Sequence, residues 1–302
     1  MPSLDPVSKT RFVLPPPPLR RYLTTYYFCE IESPDGLEIS DLLLPQWASI
    51  RFIYRGGVKM GIPSQNPQNS PLAGMTGPTS MATPISSKFA NIFAFGLLPL
   101  GWYKFVGQPA SRWANQVADT LAEREFDFFA RIWDAVRELT TEAEMIDRCN
   151  HLLLAALEPP DAEETLVEAA HLALTDPAID SVGALCERLE MNSKQLSRFS
   201  DRVFGFPPKL LLRRQRFVRT LGQAMMNPDQ NWSECVDQNY YDQAHFNRDF
   251  KRFMGLTPGE YMAQLHPIFG VGAMERARAL GQPLQAMDRP KNPDSNENCN
   301  AA

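Results

Sequence analysis

The first 150 residues of this 302-residue chain contain no histidine; the first one is His151. That absence excludes a cupin-like metal site built on imidazoles in the N-terminal half, and a Ser–His or Cys–His nucleophile pair within it. Carboxylates are present there, at Glu30, Glu32, Asp35, Glu38 and Asp41, but they fall in one strand-turn-strand region and read as solvated. Also missing is a glycine loop of phosphate-cradling spacing. The five cysteines (Cys29, Cys149, Cys186, Cys235, Cys299) lack metal-type spacing and read as reduced thiols of a cytosolic protein. There is no apolar run of about 18 residues that would suggest a membrane span, and no stretch reads as a signal peptide. The expectation from these absences is a cytoplasmic chain with no catalytic residues, no metal, no cofactor and no membrane partner.

What is present bounds the rest. The length allows two domains, and a hydrophobic content of 44% supports real cores. A net charge of -5 and a pI near 5.5 would argue against nucleic acid if charge were spread evenly. It is not spread evenly: between positions 194 and 219 the basic residues are Lys194, Arg198, Arg202, Lys209, Arg213, Arg214, Arg216 and Arg219, against one acid, Asp201.

That basic run lies in a helix-turn-helix pattern at 182–219. Val182, Leu185, Cys186 and Leu189 have helical spacing. Asn192 caps a second helix whose apolar side is Leu196, Phe199 and Val203 and whose polar side is Lys194, Ser197 and Arg198. Gly205 stops it, and Pro207-Pro208 opens a third helix running to about 226. A second copy follows from Trp232. Cys235 and Val236 sit on a short helix, Asn239 fills the turn, and Asp242 caps a helix with Phe246, Phe250 and Phe253 on one side and Gln243, Ala244, Asn247 and Arg248 exposed. Gly255-Leu-Thr-Pro258 mirrors Gly205-Phe-Pro-Pro208, and such a duplication is more specific than either unit alone.

On these residues, 163–265 resembles the DNA-binding domain of the AraC/XylS family of bacterial transcription regulators. The matching segments are Asn192-Ser-Lys-Gln-Leu-Ser-Arg-Phe199, Gly205-Phe-Pro-Pro-Lys209, Asp242-Gln-Ala-His-Phe-Asn-Arg-Asp-Phe250 and Gly255-Leu-Thr-Pro-Gly-Glu-Tyr261. The first unit departs from the pattern at Glu190, where the turn glycine usually stands, and at Ser200, usually aromatic; the second unit has Asn239 at its turn glycine. Asparagine tolerates left-handed geometry better than glutamate does.

Residues 21–108 alternate β-branched and aromatic residues with glycine and proline. They predict strands near 22–31, 41–44, 49–54, 58–62, 72–77 and 89–95, a hairpin turn at Arg55-Gly-Gly57, and a polar loop at 62–71. This is the pattern of a small β-barrel or sandwich. It resembles the sensor-like domains that accompany the family's DNA-binding domain, through Gly77-Pro78 and Gly96-Leu-Leu-Pro99-Leu-Gly101-Trp. Trp47, Phe52, Phe93, Phe95 and Trp102 either line an apolar ligand pocket or simply fill the interior. From 111 to 157 the pattern is helical: Trp113, Val117 and Leu121 share a face, and a capping box at 141–144 opens a further helix. This pair either forms a subunit contact or packs back on its own β domain.

The expected fold is therefore α+β. It comprises a β-rich sensor-like domain at 1–110, a helical pair at 111–158 with a possible dimerisation role, a DNA-binding domain at 163–267, and a largely disordered tail at 268–302, with room for a short helix at 274–280. The base-contact candidates are Lys194, Ser197, Arg198, Gln243, Ala244, Asn247 and Arg248, since arginine suits guanine and glutamine or asparagine suits adenine. Arg202, Lys209, Arg213 and Arg214 are the phosphate candidates. The partners expected are double-stranded promoter DNA, RNA polymerase through the family resemblance, a small-molecule effector and a second copy of the chain. The N-terminal domain is read either as a sensor of a small molecule or as an interaction module without one.

Overall fold

The computed structural model describes residues 7–61, 67–227, 229 and 235–291. The N-terminal part is a sandwich of two antiparallel sheets. One sheet orders its strands β1 (Ser8–Val13), β2 (Leu23–Glu32), β9 (Phe89–Leu97), β4 (Ala48–Gly56), β7 (Ala73–Thr76) and β10 (Val117–Asp119). The other orders β3 (Ile39–Leu43), β8 (Thr83–Ser87), β5 (Lys59–Met60) and β6 (Gln68–Asn69).

The central strand β9 shows why the sheet is buried on both sides. Ala90, Ile92 and Ala94 point between the sheets, joining Ile31, Ile53 and Ile85. Phe93, Phe95 and Leu97 point the other way, into a core shared with the helices. A strand with both faces covered reads as an unbroken apolar run, because alternation has no polar side to show.

The chain between the sheets departs from the sequence reading in three places. Arg55-Gly-Gly57 is not a hairpin turn: β4 and β5 belong to different sheets, and Gly56, at φ 70°, lets the chain cross between them. A Cβ on Gly56 would sit 1.9 Å from the Phe89 carbonyl oxygen. Residues 113–121 are not helical. A short turn at Ala110–Arg112 leads into β10, and Asn115, at φ 56°, breaks any helix there while its side chain accepts a hydrogen bond from the Ser80 N–H. Strands β1, β6, β8 and β10 were not foreseen; β6, at Gln68–Asn69, falls in the expected polar loop, where β5 pairs with it. Residues 62–66 of the expected loop lie outside the described residues.

Helix α1 (Pro99–Phe105) follows β9; α2 (Asp127–Val136) and α3 (Glu142–Ala155) cover the outer face of the large sheet. Thr141 accepts from the Glu144 N–H, which starts α3 where the sequence places a cap. Phe129, Ile132, Trp133 and Val136 of α2 are buried, with the Trp133 ring 5.5 Å from Phe52. The buried faces of α2 and α3 pack on the β domain of their own chain.

The C-terminal part is all-α: α4 (Ala162–Thr175), α5 (Val182–Arg188), α6 (Ser193–Phe204), α7 (Pro208–Met226), α8 (Gln243–Met254) and α9 (Pro258–Met262). The chain then departs from the expected tail, of which only the short helix at 274–280 is foreseen in the sequence. Instead of a disordered tail, 268–291 forms α10 (Phe269–Leu280) and a turn at Gln285–Met287, with Ile268, Ala273, Leu284 and Ala286 buried; 292–302 lie outside the described residues. Asp41 of β3 explains the docking. It is not solvated but 7% exposed, and its Oδ2 accepts from the N–H groups of Ile268 and Phe269 at 2.9 and 2.7 Å. A carboxylate from the sandwich thus caps a helix more than 200 residues away, meeting two of the orphan N–H groups at its start.

Candidate nucleic-acid interface

The first helix-turn-helix is assembled by local caps. The Ser181 side chain accepts from the Ala184 N–H at the start of α5, and Asn192 and Gln195 form a capping box on α6. Between them Glu190 takes the left-handed turn position, φ 53°, where glycine would carry less strain. Leu196, Phe199, Val203 and Phe204 are buried, and so is Ser200, the departure from the aromatic pattern. Lys194 and Arg198 remain exposed and Ser197 half-buried, all on the first half of α6.

The second unit repeats the plan with a different turn. Of the segment from Trp232 that the sequence reads as its first helix, 232–234 lie outside the described residues, and Cys235 is buried at the edge of what is described. Asn239 does not take the left-handed geometry: among the described residues only Asn115 and Glu190 do so without being glycine. Its N–H instead donates to Asp237 Oδ1 at 2.9 Å, closing an Asx turn. Asp242 accepts from the His245 N–H at 2.6 Å and caps α8. Phe246, Phe250 and Phe253 pack with Phe217 of α7. Gln243, Ala244, Asn247 and Arg248 are exposed on the first half of α8. His245 is half-buried, its ring 5.1 Å from Tyr240, packed against the turn.

The basic row of α7 is less free than its sequence suggests. Arg214 is fully buried, so its assignment to phosphate is corrected. Its guanidinium lies 4.1 Å from the Trp47 ring of the β domain, and Nη1 donates to the Thr79 carbonyl at 3.0 Å. Burial pushes its pKa down to about 9, which still leaves it charged at neutral pH. Arg213 pairs with Asp249, Arg202 with Glu163, and Arg219 donates to Asp237 at 2.7 Å. The acids come from other elements, which is why Asp201 alone was visible nearby in sequence.

Lys209 stays exposed. With Arg213 and Arg216 it makes an i, i+4, i+7 row, and this row meets Asp180, Ser181 and His245 around a cleft of about 590 Å³ between the two units. The cleft and Arg216 were missed; the spacing on α7 was the signal that pointed to them.

Trp47, Phe52, Phe93, Phe95 and Trp102 are all buried and do not line a ligand pocket. They fill the core, with Phe52 6.2 Å from both Phe93 and Phe95. The space left beside Trp47 and Trp102 is about 10 Å³, no more than one water needs. Among the described residues no three His, Cys, Asp or Glu side chains come together as metal ligands, and no helix is long and apolar enough to cross a membrane.

Two capped helices, each showing a polar N-terminal half and joined by one long helix, define a double helix-turn-helix reader of duplex DNA. Residues 185–264 match the sequence model of a family described as a helix-turn-helix domain. The segment is a helix-turn-helix domain of the AraC type, a DNA-binding domain. Among solved structures, ToxT from Vibrio cholerae is similar at 11% identity over 85% of this chain and 98% of that one, with a TM-score of 0.43. Wild-type ToxT from Vibrio cholerae bound to an unsaturated fatty acid is similar at 12% identity over 88% and 98%, TM-score 0.43. The AraC-like transcriptional activator CuxR is similar at 14% identity over 70% and 85%, TM-score 0.25. Among curated proteins, none matches this sequence.

Proposed function

We propose that the chain is a transcription regulator that reads two successive major grooves of promoter DNA with α6 and α8, under the control of a small molecule held by the N-terminal part. The observation that carries the reading is the pairing of two exposed polar helix starts across one rigid spacer. Helix α7 has 19 residues, roughly 28 Å at about 1.5 Å per residue. With the flanking units added, that approaches one helical turn of DNA, about 34 Å.

In this reading Lys194, Ser197 and Arg198 contact bases in one groove, and Gln243, Ala244, Asn247 and Arg248 in the next. Lys209 holds phosphate, and the cleft it borders faces the backbone between the grooves. The partner is double-stranded promoter DNA in the cytoplasm. Control from the N-terminal part is supported by the continuity of the core: Trp47, Leu98 and Trp102 pack in one cluster with Val203 and Phe204 of α6, so a change in the sandwich reaches the first reading helix by direct contact.

Selection of bound sequences from a random duplex pool with the full chain tests this. Two short motifs about one helical turn apart are expected. A single motif, or none, contradicts the bipartite reading.

A further inference from the structure

Helix α10 lies against β1, the outermost strand of the larger sheet, and against β3 of the smaller one. The residues that lead into it, His266 to Ile268, join three parts of the chain. The Ser8 hydroxyl of β1 donates to the Pro267 carbonyl at 2.6 Å. Asp41 of β3 takes the Ile268 and Phe269 N–H groups on Oδ2 and the Leu42 N–H on Oδ1, the last at 2.7 Å. Against that same Oδ1, at 3.0 Å, lies Nδ1 of His266. The other ring nitrogen, Nε2, lies 3.0 Å from the Tyr261 carbonyl of α9.

Neither partner of the ring has a hydrogen to give. A backbone carbonyl only accepts, and so does a carboxylate that three backbone N–H groups already address. Both ring nitrogens therefore have to donate, and an imidazole does so only as the imidazolium. Turning the ring over would put carbon atoms at both positions. A neutral ring makes one of the two bonds and aims a nitrogen lone pair at an oxygen. Asp41 is the only ion-pair partner of His266 among the described residues. From α9 the Tyr261 ring stacks on the imidazole, centroids 4.0 Å apart. Burial, and then the charge of Asp41, push the Tyr261 phenol up, so it stays uncharged. The other charged groups on these elements are engaged elsewhere or exposed: Glu260 with Thr257, Arg11 with Glu142, Arg276 with Asp288, Arg278 with Glu275, and Lys9 at the surface. The His266 side chain is 17% exposed, enough to exchange its proton with water.

We propose that His266 is a pH-sensitive clasp: as the imidazolium it ties the sandwich, at Asp41, to the second reading unit, at Tyr261, and giving its proton to solvent breaks one of the two bonds. The tie reaches α8, because Tyr261 packs on Phe250 with ring centroids 5.7 Å apart. The sign follows from which form is fully bonded. The clasp is complete on the acid side and weakens as pH rises through the range, about 5 to 8, in which histidines change charge. It stands on its own geometry; any effect on DNA rests on the regulator reading above.

The test follows hydrogen exchange across 268–280 in the full chain from pH 5.5 to 8.5, each rate divided by the intrinsic rate at that pH. Wild type is compared with His266→Gln and His266→Phe. Neither replacement titrates, Gln stays polar, and Phe keeps an aromatic ring on Tyr261. With four histidines in the chain, the ring nitrogen signal missing from both variants assigns His266 in a parallel magnetic resonance titration. The ratio of wild-type to variant protection is expected to fall about tenfold as pH rises, the worth of one charge-assisted hydrogen bond, and to track the loss of the His266 proton. A ratio that does not change with pH overturns the clasp, as does a fall that does not follow that titration. Duplex affinity is read at the same pH values. An unchanged ratio of wild-type to variant affinity, with the clasp titrating as expected, upholds the clasp and overturns its reach to the reading helix. Binding to no duplex at all overturns the regulator reading and leaves the clasp standing.

Discussion

Arg214 and Lys209 stand five residues apart on one basic helix and have opposite surroundings. Arg214 lies under Trp47 at the seam between the two parts of the chain, whereas Lys209 faces solvent. Arg214→Ala should therefore cost about 2–4 kcal/mol of folding stability, as removal of a large buried side chain does, and leave the salt dependence of DNA binding unchanged. Lys209→Ala should leave stability alone, weaken all sequences alike, and reduce the slope of log affinity against log salt by about one. Denaturation and binding at three salt concentrations check both. A reduced slope for Arg214→Ala would return it to the phosphate set.

His171 sits at the same seam, 1% exposed and edge-on to Trp47. Burial, and then the charge of Arg214, push its pKa from 6.5 down to about 3. Between those values the unfolded chain binds a proton that the folded chain refuses. This histidine therefore costs stability progressively as pH falls from about 6.5 toward 3, by up to about 1.4 kcal/mol per pH unit, and costs nothing above that window. Urea denaturation at pH 7, 5.5 and 4.5 should show a shallower acid loss for His171→Leu than for wild type; parallel curves would contradict the assignment. Neither fate was readable in sequence. The partners of Arg214 and His171 come from Trp47 and Thr79, more than 90 residues away.

At the scale of elements, what was readable followed from locality. The caps at Asn192 and Asp242, the left-handed stops at Gly205 and Gly255, and the proline starts at Pro208 and Pro258 all act within a few residues, so both reading helices could be placed from sequence. Strands β2, β4 and β9 are long and rich in aromatic and β-branched residues, and they too were visible. The misses depend on distant partners. Strand β10 forms because β7 is there to pair with it, and α10 is ordered because Asp41 and the uncovered end of a sheet receive it. Asp41→Ala should cost about 1–2 kcal/mol, as loss of a helix cap does, and raise hydrogen exchange across 268–291 more than elsewhere. Uniform exchange would mean that the cap does not hold the segment.

At the scale of the molecule, one apolar core runs from the large sheet through α1 and α4 into the first helix-turn-helix. The second unit has its own cluster around Phe217 and Phe250, and Leu44, Ala82 and Leu284 join it. Each reading helix is thus tied to the sandwich, the first by direct packing and the second both directly, where the Ala82 N–H donates to the Phe253 carbonyl at 2.6 Å, and through the C-terminal segment. That arrangement suits a regulator in which a small change in the sandwich alters the relative placement of two DNA-reading helices.

The claim that rests on this arrangement is that α6 and α8 read different parts of one site. The most direct measurement is selection from a random duplex pool with wild type, Arg198→Ala and Arg248→Ala in parallel. The account predicts two motifs for wild type, with Arg198→Ala relaxing only one of them and Arg248→Ala only the other, each at about 1–3 kcal/mol. Relaxation of the same motif by both variants, or of neither, would contradict it.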